Sequence, residues 1–144
     1  MTKLLLDTHL YVGWLNHGWH EALMVGPGFV RHLSSVVQME LRVGARTRPA
    51  RRVLDQLVRA HTATARLIAP SPSTFDDAGL VLQALRMAGR EVRRASLVND
   101  VLIALTARQL GATLCTADGE DFRAIRRVRD FSLEVVGAPN DARS

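Results

Sequence analysis

Five short, largely apolar runs alternate with helical patterns along this chain, and that alternation constrains its fold more than any other feature. The runs lack the two-residue alternation of strands with one face in water, so both faces should be buried. Buried strands separated by helices are typical of a parallel sheet covered on both sides. The sequence therefore predicts an α/β sandwich with strands at 3–7, 29–33, 67–69, 113–116 and 131–136.

Capping residues predict where the helices between these strands begin. Ser35 is expected to start one helix, because Gln38 three residues later completes a capping-box pattern. Ser73 and Ser96 are expected to cap two further helices in the same way. The remaining predicted helices cover about 8–15, 49–66 and 118–126.

The length of 144 residues is that of one ordinary domain. We expect residues 1–137 to form it and residues 138–144 to be a flexible tail. No apolar run of about 18 residues is present, so no membrane helix is expected. The apolar start is too short for a signal peptide and ends at Asp7, which favours a cytoplasmic protein. The single cysteine, Cys115, excludes an internal disulfide and a multi-cysteine zinc site.

The net charge is +5, and Lys3 is the only lysine among the positive side chains. Arginine suits phosphate, because its planar guanidinium can bind two oxygens at once. The charge balance therefore fits a nucleic-acid partner, with arginine enrichment from a GC-rich genome as the alternative explanation. Aromatic residues make up only 5%, which argues against a base-stacking platform.

Acidic residues stand where the predicted core segments end. Asp7 closes the first strand, and Asp118 follows the fourth. Glu40 and Asp100 come four to five residues after a serine that is expected to cap a helix. The carboxyl ends of parallel strands and the starts of the helices that follow them share one edge of the sheet. Each acid taken singly has a simpler explanation, as a cap or a solvated residue, but their order predicts that they meet in one place.

Gathered carboxylates repel one another and raise their own pKa values, and a hard cation relieves that repulsion. Ligands that are all oxygen favour Mg²⁺ or Mn²⁺ over zinc. A water activated by the metal can be delivered to a phosphorus, while arginines hold the flanking phosphates. The acids therefore indicate a metal-dependent enzyme that acts on an anionic substrate.

Four short motifs in this order resemble the PIN-domain family, in particular the VapC-type toxins of bacterial toxin–antitoxin pairs. The motifs are Leu5-Leu6-Asp7-Thr8, then Ser34-Ser35-Val36-Val37 with Glu40-Leu41, then Asn99-Asp100-Val101-Leu102-Ile103-Ala104, and finally Thr116-Ala117-Asp118-Gly119-Glu120-Asp121-Phe122. Each motif alone is unspecific, but four in the right order are much more specific. The resemblance covers residues 3–136, which is nearly the whole chain.

The resemblance implies a three-layer α/β/α sandwich around a mostly parallel, five-stranded sheet. It implies a Mg²⁺- or Mn²⁺-dependent endoribonuclease that inhibits growth or translation. The implied catalytic residues are Asp7, Glu40, Asp100 and Asp118, and the implied metal ligands are Asp7, Asp100, Asp118 and Asp121. The relative roles of Asp118 and Asp121 stay open. A cognate antitoxin and a homodimer are the implied protein partners.

Some positions extend the resemblance and others depart from it. Thr116 matches a small hydroxyl residue that would orient a carboxylate or a water. His9 stands where the family more often has Asn, Ser or an apolar residue, and we interpret it as a helix-start residue. Residues 17–28 are short for the family's second helix, which leaves the geometry towards an antitoxin open.

Arg90, Arg93 and Arg94 come just before the helix that carries Asp100 and are candidate RNA-binding residues, with a solvated loop as the alternative. For the whole chain, the competing hypothesis is a non-catalytic basic module that binds RNA or a partner through the same fold. A response-regulator receiver is excluded, because the sequence lacks an acidic pair after the first strand and a well-placed lysine.

Overall fold

All five expected strands form, and they make one parallel sheet. The computed structural model describes residues 1–139. Its strands are β1 (Thr2–Leu6), β2 (Phe29–Ser34), β3 (Leu67–Ile68), β4 (Thr113–Thr116) and β5 (Ser132–Val135). They are ordered β3-β2-β1-β4-β5, and every pair of neighbours is parallel.

Two groups of helices cover the sheet. The first group is α1 (Thr8–His17), α2 (Glu21–Val25), α3 (Ser35–Gly44) and α4 (Arg48–Ala63), and the second is α5 (Pro72–Met87), α6 (Ala95–Leu110) and α7 (Glu120–Val128). The helices of each group pack against one another. Right-handed crossovers put the two groups on opposite faces, because the strand order runs outward from β1 in opposite directions. The predicted three-layer α/β/α sandwich is confirmed.

The strand order reverses at β1, and this reversal defines where a ligand can bind. From β1 the chain moves to β2 and β3 on one side, and later returns to place β4 and β5 on the other. Leu6 lies beside Cys115 in register, so the carboxyl ends of β1 and β4 are level. In open parallel sheets the crevice beyond such a reversal is the usual ligand site. The acids that follow β1 and β4 therefore face the same crevice.

β1 and α6 lie at the centre of the hydrophobic core, which agrees with their largely apolar sequences. Leu4, Leu5 and Leu6 are each at most 2% exposed, since helices cover both faces of β1. On α6, Leu97 and Val101 are fully buried. Burying each of these side chains contributes roughly 1.5–3 kcal/mol. The apolar surroundings of α6 fix the position of the polar residues that it carries to the crevice.

Ser34, and not the predicted Ser35, caps α3. Ser34 is the last residue of β2 and keeps an extended backbone, with φ −73° and ψ 136°. Its Oγ accepts hydrogen bonds from the backbone N–H groups of Val36 at 3.1 Å and Val37 at 3.5 Å. The strand passes directly into the helix, so one residue ends the first element and caps the second.

The other predicted serine caps are also displaced. Ser71 caps α5 in place of Ser73, because Pro72 already occupies the first helical position. Ser96 lies inside α6, which begins one residue earlier, and Arg94 stands at its N-cap without a side-chain capping bond. Both errors arise because capping patterns identify a neighbourhood rather than the first helical residue.

Within residues 1–139, no helix has the length and apolar character needed to cross a membrane. Most of the C-terminal tail that we expected over 138–144 lies outside the described residues.

Replacing Ser34 by Ala should lower the free energy of unfolding by about 1–2 kcal/mol, because two N–H groups at the start of α3 lose their partner. Thermal and urea unfolding measure this loss. Ser35→Ala is the matched control, since it leaves the capping hydroxyl in place and should stay within about 0.5 kcal/mol of the native chain. A larger loss for Ser35→Ala than for Ser34→Ala would contradict the assignment of the cap.

Candidate active site

An acidic cleft of about 360 Å³ lies beyond the carboxyl ends of β1 and β4. All five acids predicted from the sequence line it, together with one arginine, one histidine and three uncharged side chains. The lining residues are Asp7, Thr8, His9, Glu40, Arg94, Ser96, Asp100, Asp118, Asp121 and Phe122. We call this cavity the acidic cleft.

Asp7 is the most rigidly held of the acids. It is only 4% exposed, and its backbone N–H donates to the Cys115 carbonyl at 3.0 Å. One carboxylate oxygen accepts from the Thr8 N–H at 2.8 Å, and the other accepts from the Thr116 hydroxyl at 2.8 Å. Burial raises the pKa of Asp7, and the bonds from Thr116 and Thr8 offset part of that rise. These bonds fix Asp7 between two strands and the start of α1.

Thr116 links Asp7 to the segment that carries the later acids. It is the last residue of β4 and is fully buried. Its hydroxyl oxygen accepts from the Asp118 N–H at 3.2 Å and lies 3.1 Å from the Asp118 carbonyl oxygen. One hydroxyl therefore sets the orientation of Asp7 and the start of the loop that follows β4.

Glu40 is held by two partners that sequence reasoning did not single out. Its Oε1 accepts from the Thr8 hydroxyl at 2.6 Å, and its Oε2 accepts from the Asn99 side-chain amide at 3.4 Å. These bonds join α3 to α1 and α6 at the cleft. The only signal in the sequence was adjacency, because Thr8 follows Asp7 and Asn99 precedes Asp100.

Asp100 lies on the apolar helix α6 where this helix lines the cleft. Its side chain is therefore half-buried, with the core on one side and the cleft on the other. Burial raises its pKa to about 8, and the nearby charges of Asp7, Asp121 and Glu40 add to the rise, while Arg94 opposes it. Without a cation, Asp100 is therefore largely protonated at neutral pH.

Asp118 and Asp121 have different surroundings. Asp118 is exposed, and one of its oxygens accepts from the Glu120 N–H at 3.3 Å. Asp121 is 21% exposed, and its two oxygens pair with Arg90 at 3.2 Å and Arg94 at 3.0 Å. Asp118 thus offers its charge to the cleft, whereas arginines already neutralise that of Asp121.

The three arginines expected to contact RNA divide into two sets. Arg94 lines the acidic cleft, and Arg90 reaches it through Asp121. Arg93 is instead paired with Glu91 at 3.1 Å, in an exposed position.

His9 lies on the cleft wall, and its positive charge would lower the pKa of Asp7.

The side chains of the cleft have the chemistry that a hard divalent cation requires. Their donors are carboxylate and hydroxyl oxygens, which suit Mg²⁺ or Mn²⁺. Among residues 1–139, no three His, Cys, Asp or Glu side chains already surround a single point as a metal site. Asp7, Glu40 and Asp121 also accept hydrogen bonds from neighbouring side chains, and an ionised carboxylate oxygen keeps a further lone pair with which it can bind a cation.

The raised pKa of Asp100 predicts that the metal-free protein loses stability as pH rises. The unfolded chain ionises near the ordinary value of 3.8, whereas the folded chain holds the proton up to about pH 8. The folded state therefore binds more protons between these values, and stability falls with pH across that window.

Asp100→Asn should remove this loss. After a discount for the partial exposure of the side chain, we expect a gain of about 1–2 kcal/mol at pH 8, and a smaller gain at pH 5, in chelator-treated protein. Thermal unfolding across this range measures the difference. Asp76→Asn, which removes an exposed carboxylate outside the cleft, is the control. A difference between Asp100→Asn and the native chain that does not vary with pH would contradict the prediction.

Solved structures with the same fold come from several bacteria. The chain is similar to VapBC2 from Rickettsia felis bound to a DNA fragment from their promoter, with TM-score 0.69, 22% identity and coverage of 94% of this chain and 99% of that chain. It is also similar to VapBC-1 from nontypeable Haemophilus influenzae, with TM-score 0.69, 20% identity and coverage of 93% and 98%. VapBC-5 from Mycobacterium tuberculosis gives TM-score 0.63, 24% identity and coverage of 96% and 100%.

At these identities the structural likeness establishes the fold. Among curated proteins, none matches this sequence significantly. The sequence model of the PIN domain matches residues 4–128, a range that includes the five acids of the cleft. This match covers most of the chain, and the chain therefore belongs to the PIN domain family.

Proposed function

We propose that this protein is a metal-dependent endoribonuclease and the toxin of a toxin–antitoxin pair, which acts in the cytoplasm and inhibits growth or translation. The observation that carries the proposal is the gathering of five carboxylates in one cleft at the strand-order reversal, in a chain of net charge +5. PIN domains are generally nucleases and generally use divalent metal ions, which supports the proposal.

Asp7, Asp100 and Asp118 are the proposed metal ligands, because they line the cleft without an ion-pair partner among residues 1–139. Asp121 is a further candidate ligand that would first have to leave its arginines. When bound, Mg²⁺ or Mn²⁺ would lower the pKa of a coordinated water and neutralise charge on the scissile phosphate.

Glu40 is proposed as the residue that receives the proton of the attacking water. Its Oε1 is held firmly by the Thr8 hydroxyl at 2.6 Å, whereas its Oε2 has only the longer bond from Asn99 at 3.4 Å. Oε2 is therefore the atom that can take up a proton while the side chain keeps its orientation. Asp118 lines the cleft and is exposed, so it would be able to join Asp7 and Asp100 in holding a cation.

Arg90 and Arg94 are proposed to bind the RNA phosphates next to the cleaved bond. They supply positive charge at the wall of a cleft that would otherwise repel an anion. Arg93 is a weaker candidate, because Glu91 already neutralises it.

The proposed protein partners are a cognate antitoxin and a second copy of the chain. Val12, Leu15 and Val53 are each about 40% exposed and line a groove of about 340 Å³ between α1, α3 and α4. Glu40 borders both this groove and the acidic cleft, so an antitoxin segment in the groove would reach the catalytic acids. The similar solved structures are named as VapBC complexes, which supports such a partner.

The homodimer is proposed on weaker support. Met39 and Val43 stand one turn apart on α3, are 49% and 80% exposed, and together form a contiguous apolar surface. A second copy of the chain would cover them.

The alternative is a non-catalytic module that binds RNA or a partner through the same fold. The positive charge alone would support this function. The acidic cleft argues against it, because five gathered carboxylates repel RNA unless a cation neutralises them.

Purified protein should cleave single-stranded RNA only when Mg²⁺ or Mn²⁺ is present, and Asp7→Asn and Asp100→Asn should each slow cleavage at least about 100-fold. Gel analysis and sequencing of the RNA ends measure cleavage and locate the cut. Asp76→Asn should cleave at the native rate. Undiminished cleavage by both cleft variants would refute the site, and salt-sensitive RNA binding without metal-dependent cleavage would favour the non-catalytic alternative.

Thr116→Val should weaken Mn²⁺ binding by about 10–100-fold, because Asp7 loses the hydroxyl that orients it. Titration calorimetry with Mn²⁺ measures the affinity without any need for turnover. Thr116→Ser keeps the hydroxyl and should bind nearly as tightly as the native chain. Equal losses in the Val and Ser variants would mean that Thr116 acts through packing instead.

A further inference from the structure

The positive charge of the chain is concentrated in one segment. Residues 42–66 contain seven arginines and a single acid, Asp55, and so carry a net charge of +6. The whole chain carries +5, which leaves −1 for all the other residues together. The arginines are Arg42, Arg46, Arg48, Arg51, Arg52, Arg59 and Arg66. The positive field of the molecule therefore comes from α4 and its flanks.

On α4 the arginines form a row along one face. At 100° per residue, Arg48, Arg52 and Arg59 fall within about 40° of one another around the helix axis. The opposite face carries Leu54, which is 2% exposed, and Leu57, which packs against the core. At a rise of 1.5 Å per residue, the row from Arg48 to Arg59 is roughly 16 Å long.

These arginines are exposed and, with one exception, have no carboxylate partner. Among residues 1–139, Arg42 pairs with Asp55, and the other six make no ion pair. Elsewhere among residues 1–139, four of the ten arginines make an ion pair: Arg90 and Arg94 with Asp121, Arg93 with Glu91, and Arg129 with Asp77. Asp55 lies in the same row, but it pairs with Arg42, so the charges of Arg48, Arg52 and Arg59 stay exposed to solvent.

We propose that this arginine row, defined by Arg48, Arg52 and Arg59, binds the phosphate backbone of RNA outside the acidic cleft. The inference rests on the proposed ribonuclease function and names the surface that holds the substrate. Charge clustered along one helix face is the electrostatic mark of a nucleic-acid site. The guanidinium groups suit phosphate oxygens, and a row of one sign suits a polymer whose charges repeat along its length.

RNA fits this face better than an acidic protein does. A protein interface usually centres on buried aromatic or aliphatic anchors, and the arginine face of α4 offers none. Val53 is the exposed large apolar residue of α4, and it lines the neighbouring groove instead. α3 connects the row to the cleft, because it carries both Glu40 and the Arg42 that reaches Asp55 on α4. RNA bound along α4 would therefore lie beside the wall of the cleft.

The test measures RNA binding in an Asp100→Asn background, so that binding is separated from cleavage. The test variant combines Arg48→Gln, Arg52→Gln and Arg59→Gln. The control combines Arg86→Gln, Arg126→Gln and Arg127→Gln, which removes the same charge from exposed arginines outside α4. The probe is a fluorescent oligouridine of about 20 nucleotides. Thermal unfolding of both variants confirms that they are folded.

The test variant should bind the oligouridine at least about 10-fold more weakly at low salt. The plot of the logarithm of the binding constant against the logarithm of the salt concentration should become less steep by about 2, as expected for three lost phosphate contacts to a single strand. The control should change the slope by less than half as much. Unchanged binding in the test variant, or an equal loss in the control, would overturn the proposal.

Two further measurements separate the outcomes. If poly-glutamate competes for the row as well as oligouridine of equal charge, the surface is a site for an acidic protein and the proposal fails. Cleavage by the chain with native Asp100 is measured in parallel with Mg²⁺. RNA binding through α4 with no cleavage would support the RNA surface while it refutes the nuclease function.

Discussion

The hydrogen bond from the Thr116 hydroxyl to the Asp7 carboxylate joins the two strands at which the strand order reverses. It places a charge at the one point of the sheet where a crevice must form. Asp7 is almost fully buried there, and an isolated carboxylate in such a place would be costly. The bonds from Thr116 and Thr8 reduce that cost, and the remaining acids are arranged around a carboxylate that is already fixed.

The acids around Asp7 differ in their electrostatic surroundings. Burial raises the pKa of Asp100 to about 8, the charge of Asp7 adds to that rise, and Asp121 is neutralised by Arg90 and Arg94. Acidic groups are thus concentrated in the cleft and uncompensated arginines on α4. An anionic polymer would be attracted to one surface and repelled by the other until a cation neutralised the cleft.

The fold could be predicted because buried parallel strands are read directly from continuous apolar runs, and turn residues separate them. The prediction that the acids share one edge of the sheet followed from that topology alone. The caps were misplaced by one or two residues, as at Ser34 and Ser71, because local patterns do not show where a strand stops. The partners of Glu40 and Asp121 come from elements distant in sequence, so only the folded structure could identify them.

The connections around the cleft differ in length, which gives its walls different freedom to adapt. Only Asp7 separates β1 from α1, and no residue separates β2 from α3. The backbone on the side that carries Asp7 and Glu40 therefore has little freedom to move. On the opposite side, three residues connect β4 to α7, and Asp118 is the middle one. A bound ion or ligand would therefore meet a fixed backbone at Asp7 and Glu40, and the cleft would adjust to it at Asp118.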